Sequence, residues 1–277
     1  MNFTKILGTG SYVPKKVMTN NDLKQFVDTS DEWIKSRTGI EKRHIVTDEF
    51  TIDLAYRASL RAIEDAGINK KDIDLLIVAT VTPDNAFPGV SNLLQGRLGL
   101  EKIMTFDINA ACSGFLYALN IADKMIKSGA YNNALIIGAE TLTRLTDWRD
   151  RNTCVLFGDA AGAMVIGRSE ENNIQDIICG SVADSEGHLI CNNVDIKDPA
   201  VNAKSVQDQI HMNGREVFKF ATRIMPKTIR ELLERNNYTL DDLDIIVAHQ
   251  ANQRIIDKAA RDLEFPMDKM YLNISEY

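Results

Sequence analysis

The chain has 277 residues, of which 44% are apolar and 26% charged, as is typical of a globular protein with a substantial core. Its net charge of −7 argues against a general nucleic-acid-binding protein. No apolar run approaches the roughly 20 residues that cross a bilayer. The start, MNFTKILGTG, lacks the apolar stretch of a signal peptide, so we expect a cytoplasmic protein without a membrane partner. The four cysteines have no CxxC spacing, which indicates reduced thiols and no metal site.

Strand-like and helical patterns alternate along the chain. Apolar, β-branched runs predict strands at KILGTGSYVP, DIDLLIVATVTP, IMTFDINA, NALIIGAE, GAMVIGR, IQDIICGSVAD and LDIIVAHQ. Helical periodicity predicts helices at TIDLAYRASLRAIEDAG, CSGFLYALNIADKMIKSG and GREVFKFATRIMPKTIRELLERNN. This alternation is typical of an α/β protein with a largely parallel sheet that helices cover on both faces.

A change in pattern near residue 170 predicts two halves, residues 1–170 and 171–277. In each half an apolar strand leads into an elbow with a reactive residue, INAACSG and VAHQAN, which suggests a duplicated unit. The polar stretch 184–214 predicts a long loop of the kind that covers a site. The final KMYLNISEY is similar to the start of a strand, so we expect the second half to lack its last elements.

Cys112 is a candidate nucleophile because it stands between a predicted strand and a predicted helix. The small residues around it, in NAACSG, let the backbone turn sharply. The N-terminus of a helix favours the thiolate, and its free N–H groups can stabilise an oxyanion. The alternative is a buried structural cysteine, which is our interpretation of Cys154, Cys179 and Cys191 because they lack the elbow.

His249 is predicted at the carboxyl end of a strand and just before a helix, where ligands bind in open α/β sheets. A core histidine bonded to the backbone is the alternative. Cysteine and histidine together are typical of acyl transfer, in a hydrolase or in a transferase.

Five motifs, TSDEWIKSRTGI, INAACSGF, VLFGDAAGA, HMNGREVFK and HQANQRI, closely resemble the β-ketoacyl-acyl-carrier-protein synthase III family of the thiolase-like superfamily. The resemblance runs from near residue 1 to Tyr277 and implies a thiolase-like fold with two similar βαβ halves in a layered αβαβα core. It implies that Cys112 takes an acyl group from coenzyme A and that His249 stabilises the enolate of a malonyl thioester. The product would start fatty-acid synthesis, and no metal or redox cofactor would be needed.

The resemblance also implies the contacts to coenzyme A. Trp33 would stack on the adenine with Arg151 on the other face of the ring, while Arg37 and Thr38 would contact the nucleotide portion. The residues beside the pantetheine arm would be Gly214, Phe218, Ala251 and Asn252. The alternative for Trp33 is simple packing at a helix start, where Thr29 and Glu32 could form a capping box.

Basic residues recur at helical spacing in two predicted helices, at Arg215, Lys219, Arg223 and Lys227 and at Arg254, Lys258 and Arg261. They form either solvated faces or a surface for an anionic partner. The resemblance favours the acidic acyl carrier protein, bound through Gln250, Ala251, Asn252, Gln253, Arg254 and Lys219. It further implies a homodimer in which Phe87 enters the acyl pocket of the other subunit, and it places Phe157 at the acyl pocket.

Two departures from the family pattern are expected to matter differently. Ala160 replaces the usual glycine in FGDAAGA, a minor change. The family continues beyond the equivalent of Tyr277 with a Gly-Asn-Thr-Ser motif, which supplies a third catalytic residue, and with a glycine-rich loop. We therefore keep two alternatives to the full reaction: a condensing enzyme that uses another acceptor, and a noncatalytic fragment that binds acyl-coenzyme A.

Overall fold

The computed structural model describes residues 2–192 and 208–277. The strands and helices, in chain order, are β1 (Phe3–Tyr12), β2 (Lys16–Thr19), α1 (Asp31–Thr38), β3 (Lys42–Ile45), α2 (Thr51–Ala66), β4 (Leu75–Ala79), α3 (Val90–Leu98), β5 (Met104–Ile108), α4 (Gly114–Lys127), β6 (Asn133–Thr141), β7 (Asp159–Ser169), β8 (Leu189–Ile190), β9 (His211–Met212), α5 (Gly214–Arg235) and α6 (Gln253–Leu263). None of the described helices is both long enough and apolar enough to span a membrane. The four cysteines are free thiols.

The chain forms two compact units, and each is built from separate segments. The sheet unit comprises Met1–Lys16, His44–Thr141 and Asp159–Cys179. The helical unit comprises Val17–Arg43, Leu142–Gly158 and Gly180–Tyr277. The chain crosses from the sheet unit to the helical unit for the last time after Cys179, and this crossing is the one nearest to the boundary predicted at residue 170. The division into two similar halves remains a prediction.

The sheet unit is built around a five-stranded sheet in the order β1-β7-β6-β4-β5. β4 runs parallel to β5 and β6, whereas β7 is antiparallel to both β1 and β6. The sheet is therefore mixed rather than largely parallel. The reason is the connection from β6 to β7, which contains no crossover α-helix of the kind that parallel neighbours require.

Helices cover both faces of this sheet, as the apolar strands indicated. Alternate residues of β4 point to opposite faces: Leu76 and Val78 pack in the cluster that includes α2, and Leu75 and Ile77 pack in the cluster that includes α4. A side chain at Gly8 would collide with the backbone of Ala66, so this glycine lets α2 approach β1 closely. The result is a rigid support for the residues that follow β5.

The helical unit packs α6 on α5 through an apolar face. Ile256, Ala260 and Leu263 of α6 are buried with Phe265 and Met270 in one cluster. The charged residues of α6 lie on its other side, as expected for an amphipathic helix.

Two predicted strands are absent from the described structure. Residues 174–184, within IQDIICGSVAD, are irregular, and LDIIVAHQ retains one parallel bridge between Ile246 and Met270. Ile245 and Val247 on either side of that bridge are 53% and 70% exposed. β-branched composition predicted these strands, but a strand forms only where a neighbouring segment completes its hydrogen-bond ladder.

Candidate active site

Cys112 lies in a sharp elbow between β5 and α4, as predicted. A short 3₁₀ turn over Ala111–Ser113 joins the two elements. Ala111 has φ 44°, a left-handed conformation that residues with a side chain rarely adopt. Gly114 begins α4 where a Cβ atom would lie 3.0 Å from that of Ala79, so the helix can start close against β4. The elbow thus presents the thiol at the N-terminal end of a helix.

The pKa of Cys112 is raised, contrary to the expectation that the helix would favour the thiolate. Protein atoms around the sulfur desolvate it, and the negative charge of Glu140 adds to the effect. Because the residue as a whole is exposed, the desolvation of its thiol is partial. At neutral pH the group is therefore mainly a thiol, and it must lose its proton when it attacks.

Glu140 is a half-buried acid near Cys112 that the sequence did not single out. It stands near the end of β6, where its carboxylate accepts hydrogen bonds from Val81 N at 2.8 Å and from Thr82 Oγ1 at 2.6 Å. Desolvation raises its pKa, although these hydrogen bonds act in the opposite direction. Only its place at the end of an apolar strand, in GAE, could have drawn attention to it.

His249 belongs to the helical unit and follows the single bridge at Ile246. Desolvation lowers the pKa of the imidazole, so the ring is neutral at neutral pH. A neutral imidazole keeps one N–H donor and one acceptor nitrogen. Cys112 belongs to the sheet unit, and the pairing of these two residues stays a prediction.

Trp33, Arg37 and Arg151 come together within the helical unit, as predicted. The guanidinium carbon of Arg151 lies 4.8 Å from the centre of the Trp33 ring, and that of Arg37 lies 5.3 Å from it. Arg151 Nη1 also donates to the carbonyl of Asp28 at 3.0 Å. An indole with two guanidinium groups is a suitable surface for the flat, electron-rich ring of a purine.

The start of α1, which carries Trp33, differs from the predicted capping box. Ser30 is the N-cap residue, and its hydroxyl accepts a hydrogen bond from Trp33 N at 3.0 Å. The predicted capping box between Thr29 and Glu32 is therefore wrong, because the N-cap lies one residue later than predicted. TSDE offered two adjacent hydroxyl residues, and only the backbone geometry decides which of them caps the helix.

The end of α1 is tied to the start of α6. Asn252 caps α6 by accepting from Arg254 N at 2.9 Å, and it donates to the carbonyl of Arg37 at 3.2 Å. Gly39 has φ 81°, and a side chain there would collide with Gln253. Thr38 is buried, and its hydroxyl donates to Ile34 O at 2.7 Å, so it helps to close the helix.

The remaining residues assigned to coenzyme A and the carrier lie along α5 and the start of α6. Gly214 is the first residue of α5, and the guanidinium of Arg254 lies 5.8 Å from the Phe218 ring. Lys219 is exposed and forms an ion pair with Glu216 at 2.6 Å. Ala251 is exposed beside the α6 cap.

Gln250 is engaged within the helical unit. Its Nε2 donates to Ala248 O and to Tyr271 O, both at 3.0 Å, and its Oε1 accepts from Asn273 N at 3.1 Å. Of the stretch 250–254, Arg254 therefore presents the charge to solvent, while Gln250 holds the backbone beside His249.

The two phenylalanines assigned to the acyl pocket fall in different units. Phe87 belongs to the sheet unit and is 86% exposed. Phe157 belongs to the helical unit and is half-buried. Their common pocket stays a prediction.

An open groove of about 740 Å³ runs between α5 and α6. Its basic residues are Arg223, Lys227, Arg230 and Lys258, and its acidic residues are Glu231, Glu234 and Asp262. Lys258 is paired with Asp262 at 2.8 Å. The groove contains neither Cys112 nor His249, so it is separate from the two residues that are predicted to carry the chemistry.

A strained elbow cysteine at the end of a strand, in a mixed sheet covered by helices, is an arrangement that suits nucleophilic acyl transfer, and the known relatives are condensing enzymes with the thiolase-like fold. Profiles of 3-oxoacyl-[acyl-carrier-protein] synthase III and of its C-terminal part match residues 106–185 and 233–277. The chain belongs to the β-ketoacyl-[acyl-carrier-protein] synthase III family, whose members are acyltransferases that form carbon–carbon bonds.

Relatives match over nearly the whole chain. The synthase III of Clostridium acetobutylicum is 47% identical over 100% of this chain and 86% of its own length. The solved 3-oxoacyl-[acyl-carrier-protein] synthase III of Aquifex aeolicus is 42% identical with a TM-score of 0.85, over 99% of this chain and 85% of the solved one. The priming β-ketosynthase of the R1128 polyketide pathway is 34% identical with a TM-score of 0.91, over 99% and 82%. The thiolase-like α/β fold is thereby confirmed.

Proposed function

We propose that the chain condenses a short acyl-coenzyme A with malonyl-acyl carrier protein and so starts fatty-acid synthesis. The Cys112 elbow is the observation that carries the proposal, because it presents an accessible sulfur beside the first N–H groups of α4. Those groups have no partners within the helix and can stabilise negative charge on the oxygen of an attacked carbonyl.

In the first half-reaction the sulfur of Cys112 attacks the thioester carbonyl. A carbon–sulfur bond to Cys112 forms, the bond to coenzyme A breaks, and the coenzyme leaves as a thiol that takes up the proton. Because the pKa of Cys112 is raised, loss of its proton accompanies the attack. The sulfur forms the covalent intermediate itself, and we propose that no metal or redox cofactor takes part.

In the second half-reaction the malonyl group loses carbon dioxide, and its enolate carbon attacks the acyl group on Cys112. The acyl–sulfur bond breaks, and the β-ketoacyl product remains on the carrier. His249 is neutral at neutral pH, so it can donate a hydrogen bond from its protonated nitrogen to the enolate oxygen. Its role is to stabilise the charge that appears on decarboxylation.

The adenine of coenzyme A would bind at Trp33 after a movement of Arg151. A ring between two planes needs about 7 Å, twice the usual contact distance of roughly 3.5 Å. Arg151 lies 4.8 Å from the Trp33 ring, so its side chain must move outward and give up its bond to Asp28 O. The ligand would then take over the stacking contacts that Arg151 makes with the indole. Arg37 and Thr38 would contact the rest of the nucleotide, and Gly214, Phe218, Ala251 and Asn252 the pantetheine arm.

The acidic carrier would dock on the exposed basic residues at the start of α6 and on α5. Arg254 is the central residue of this surface, and Lys219 follows Phe218, the ring that the Arg254 guanidinium approaches on α5. The basic groove residues Arg223, Lys227 and Arg230 extend positive charge along the same helix. Gln250, Ala251, Asn252 and Gln253 would shape the backbone next to Arg254.

A homodimer would form at the free edge of the sheet. β5 ends the strand order and pairs only with β4 among the described residues. Met104 on this strand is 42% exposed, and Phe87 is 86% exposed. A free edge with exposed apolar residues is a surface that proteins normally cover, and a second copy covers it symmetrically. Sedimentation equilibrium should give twice the mass of the chain.

We also propose a cytoplasmic location, which the four free thiols support.

The proposal is tested by intact mass after incubation with acetyl-coenzyme A. The wild-type chain should gain one acetyl group and the Cys112→Ala variant none. Absence of the adduct on the wild type, or its persistence in the variant, would overturn the role of Cys112.

Malonyl-acyl carrier protein and malonyl-coenzyme A are then compared as acceptors: turnover with the carrier alone supports the proposal, and equal turnover with both supports the alternative acceptor. Acylation without any condensation would mark the 277-residue chain as an acyl-binding fragment.

A further inference from the structure

Arg43 is a fully buried arginine that makes no ion pair with a carboxylate in the described part of the chain. It is 2% exposed, lies on β3 and belongs to the helical unit. Burial lowers its pKa to about 10, so it is still charged at neutral pH. A buried charge is costly unless its hydrogen bonds are well placed. The partners that it does have therefore indicate its purpose.

The guanidinium of Arg43 bonds two separate segments through neutral oxygen atoms. Nη2 donates to Asn20 Oδ1 at 2.8 Å and to Val155 O at 3.1 Å, and Nη1 donates to Met18 O at 3.3 Å. Its Nε is buried and has no hydrogen-bond partner among the described atoms. One rigid, planar group thus connects the residues around Asn20 with the segment that contains Val155.

Asn20 transmits this connection to α1. It is fully buried, and its Nδ2 donates to Asp31 Oδ1 at 2.9 Å and to Ile40 O at 2.7 Å. Asp31 is the first residue of α1, and Ile40 lies just beyond its end. A single amide therefore holds both ends of the helix that carries Trp33 and Arg37.

Val155 belongs to a tightly bonded turn that carries Arg151. The amides of Thr153 and Cys154 donate to Asp150 O at 3.2 and 3.0 Å. Thr153 Oγ1 donates to Asp150 Oδ2 at 3.0 Å, and Thr153 is fully buried. Because the turn is closed in this way, fixing Val155 also fixes the backbone of Arg151.

We propose that Arg43, together with Asn20, is a positioning pair that sets the spacing between Trp33 and Arg151 for the adenine nucleotide of coenzyme A. This inference rests on the proposed function and adds two residues to it. Entry of the ring requires the Arg151 side chain to move while the two backbones stay in place. Arg43 holds those backbones, so that only one flexible side chain has to rearrange on binding.

The test compares acetyl-coenzyme A with acetyl-pantetheine, which lacks the adenine nucleotide. Both acylate Cys112, and the rate is followed by intact mass at several concentrations of each. For Arg43→Met we expect the KM for acetyl-coenzyme A to rise about tenfold, the loss of one stacking contact, with the KM for acetyl-pantetheine and both kcat values unchanged. Asn20→Ser should act in the same direction, and Arg43→Lys, which keeps the charge, should partly restore binding.

The matched control is Arg168→Met in the sheet unit. Arg168 also donates to two backbone carbonyls, those of Tyr131 and Gly129. The Arg168→Met variant should leave both KM values unchanged. The positioning role would be overturned if the Arg43 and Asn20 variants raised the KM equally for the two substrates, or raised it for neither. Failure of all three variants to fold would do the same, because the pair would then serve the fold as a whole. If the wild type uses both substrates equally, the proposed nucleotide site is wrong. If it acylates with neither, the proposed role of Cys112 is wrong.

Discussion

The guanidinium of Arg151 lies directly over the indole of Trp33, at 4.8 Å, and it is held there by a bond to the carbonyl of Asp28. This contact stabilises the pair, but it also occupies the space that a purine would use. In the proposed complex, binding of the purine would exchange one stack for two, since the ring would contact both the indole and the guanidinium.

From this contact we predict a selective effect of Arg151→Ala. The KM for acetyl-coenzyme A should rise by a factor of about 2 to 30, which corresponds to a cation–π contribution of about 0.5–2 kcal/mol. The KM for acetyl-pantetheine should not change. Arg149→Ala is the control, because Arg149 is two residues away and its side chain is 86% exposed. Similar losses in both variants would point to general loss of charge instead of stacking.

The raised pKa of Cys112 predicts a pH dependence. The thiolate is the reactive form, and its fraction increases as the pH rises toward the pKa. Alkylation of Cys112 by iodoacetamide should therefore become faster from neutral to alkaline pH without reaching a plateau below the usual pKa of a thiol, about 8.5. Peptide mapping at each pH measures the rate at this residue.

The charge of Glu140 predicts the direction of a second change. Glu140 raises the pKa of Cys112, so Glu140→Gln should lower that pKa and move the whole alkylation profile to lower pH. Cys154 is the internal control, because it is buried and its pKa is raised to about 11. An unchanged Cys112 profile in a folded variant would show that desolvation alone sets its reactivity.

Asp123 predicts how stability depends on acid. This buried carboxylate near the end of α4 accepts a hydrogen bond from Thr4 of β1 and pairs with Lys127 at 2.9 Å, and these partners lower its pKa. A lowered carboxyl pKa stabilises the fold above the unfolded pKa of about 3.9, and the contribution is lost as the pH falls through the folded value. Asp123→Asn should cost about 2–4 kcal/mol at neutral pH, and less in acid, by urea denaturation.

The control for Asp123 is Lys124→Ala. Lys124 also contacts Asp123, at 3.0 Å, but its side chain is 60% exposed. A loss below about 1 kcal/mol is expected for such an exposed partner. If Lys124→Ala lost more free energy of unfolding than Asp123→Asn, the stabilising role assigned to the buried carboxylate would be contradicted.

Charge reversal at Arg254 predicts a change in carrier use. Arg254→Glu should raise the KM for malonyl-acyl carrier protein by about tenfold or more while acylation from acetyl-coenzyme A stays within about twofold. Salt should reduce the difference, because exposed charges are screened. Lys71→Glu in the sheet unit makes the same change in net charge and should have no effect. Equal losses in acylation and carrier use would argue against a docking role for Arg254.

The sequence predicted the parts of this molecule that depend on local pattern. The elbow at Cys112 follows from small residues between an apolar strand and an amphipathic helix. The meeting of Trp33 with Arg151 did not follow from local pattern, because only the resemblance to the family implied it. The prediction of a full strand before His249 was wrong. β-Branched residues indicate a preference for extended backbone, but they do not show whether a neighbouring strand is present to pair with it. The raised pKa of Cys112 was also missed, since it depends first on desolvation by the folded chain and then on the charge of Glu140, which lies 28 residues away in sequence. Arg43 and Asn20 gave no signal, because their importance lies in burial that only the folded chain defines.

The three hydrogen bonds of Gln250 have a consequence for the imidazole beside it. Its side-chain amide donates to two carbonyls and accepts from one N–H, in the way that a peptide group does in a β-ladder. The backbone next to His249 is thus anchored to Tyr271 and Asn273 by a side chain and not by an extended ladder. A rotation about the side-chain bonds of Gln250 would release this anchor, whereas the elbow of Cys112 is set by the geometry of the main chain. Of the two residues that are predicted to react, one is therefore positioned by the main chain and the other in part by a side-chain amide.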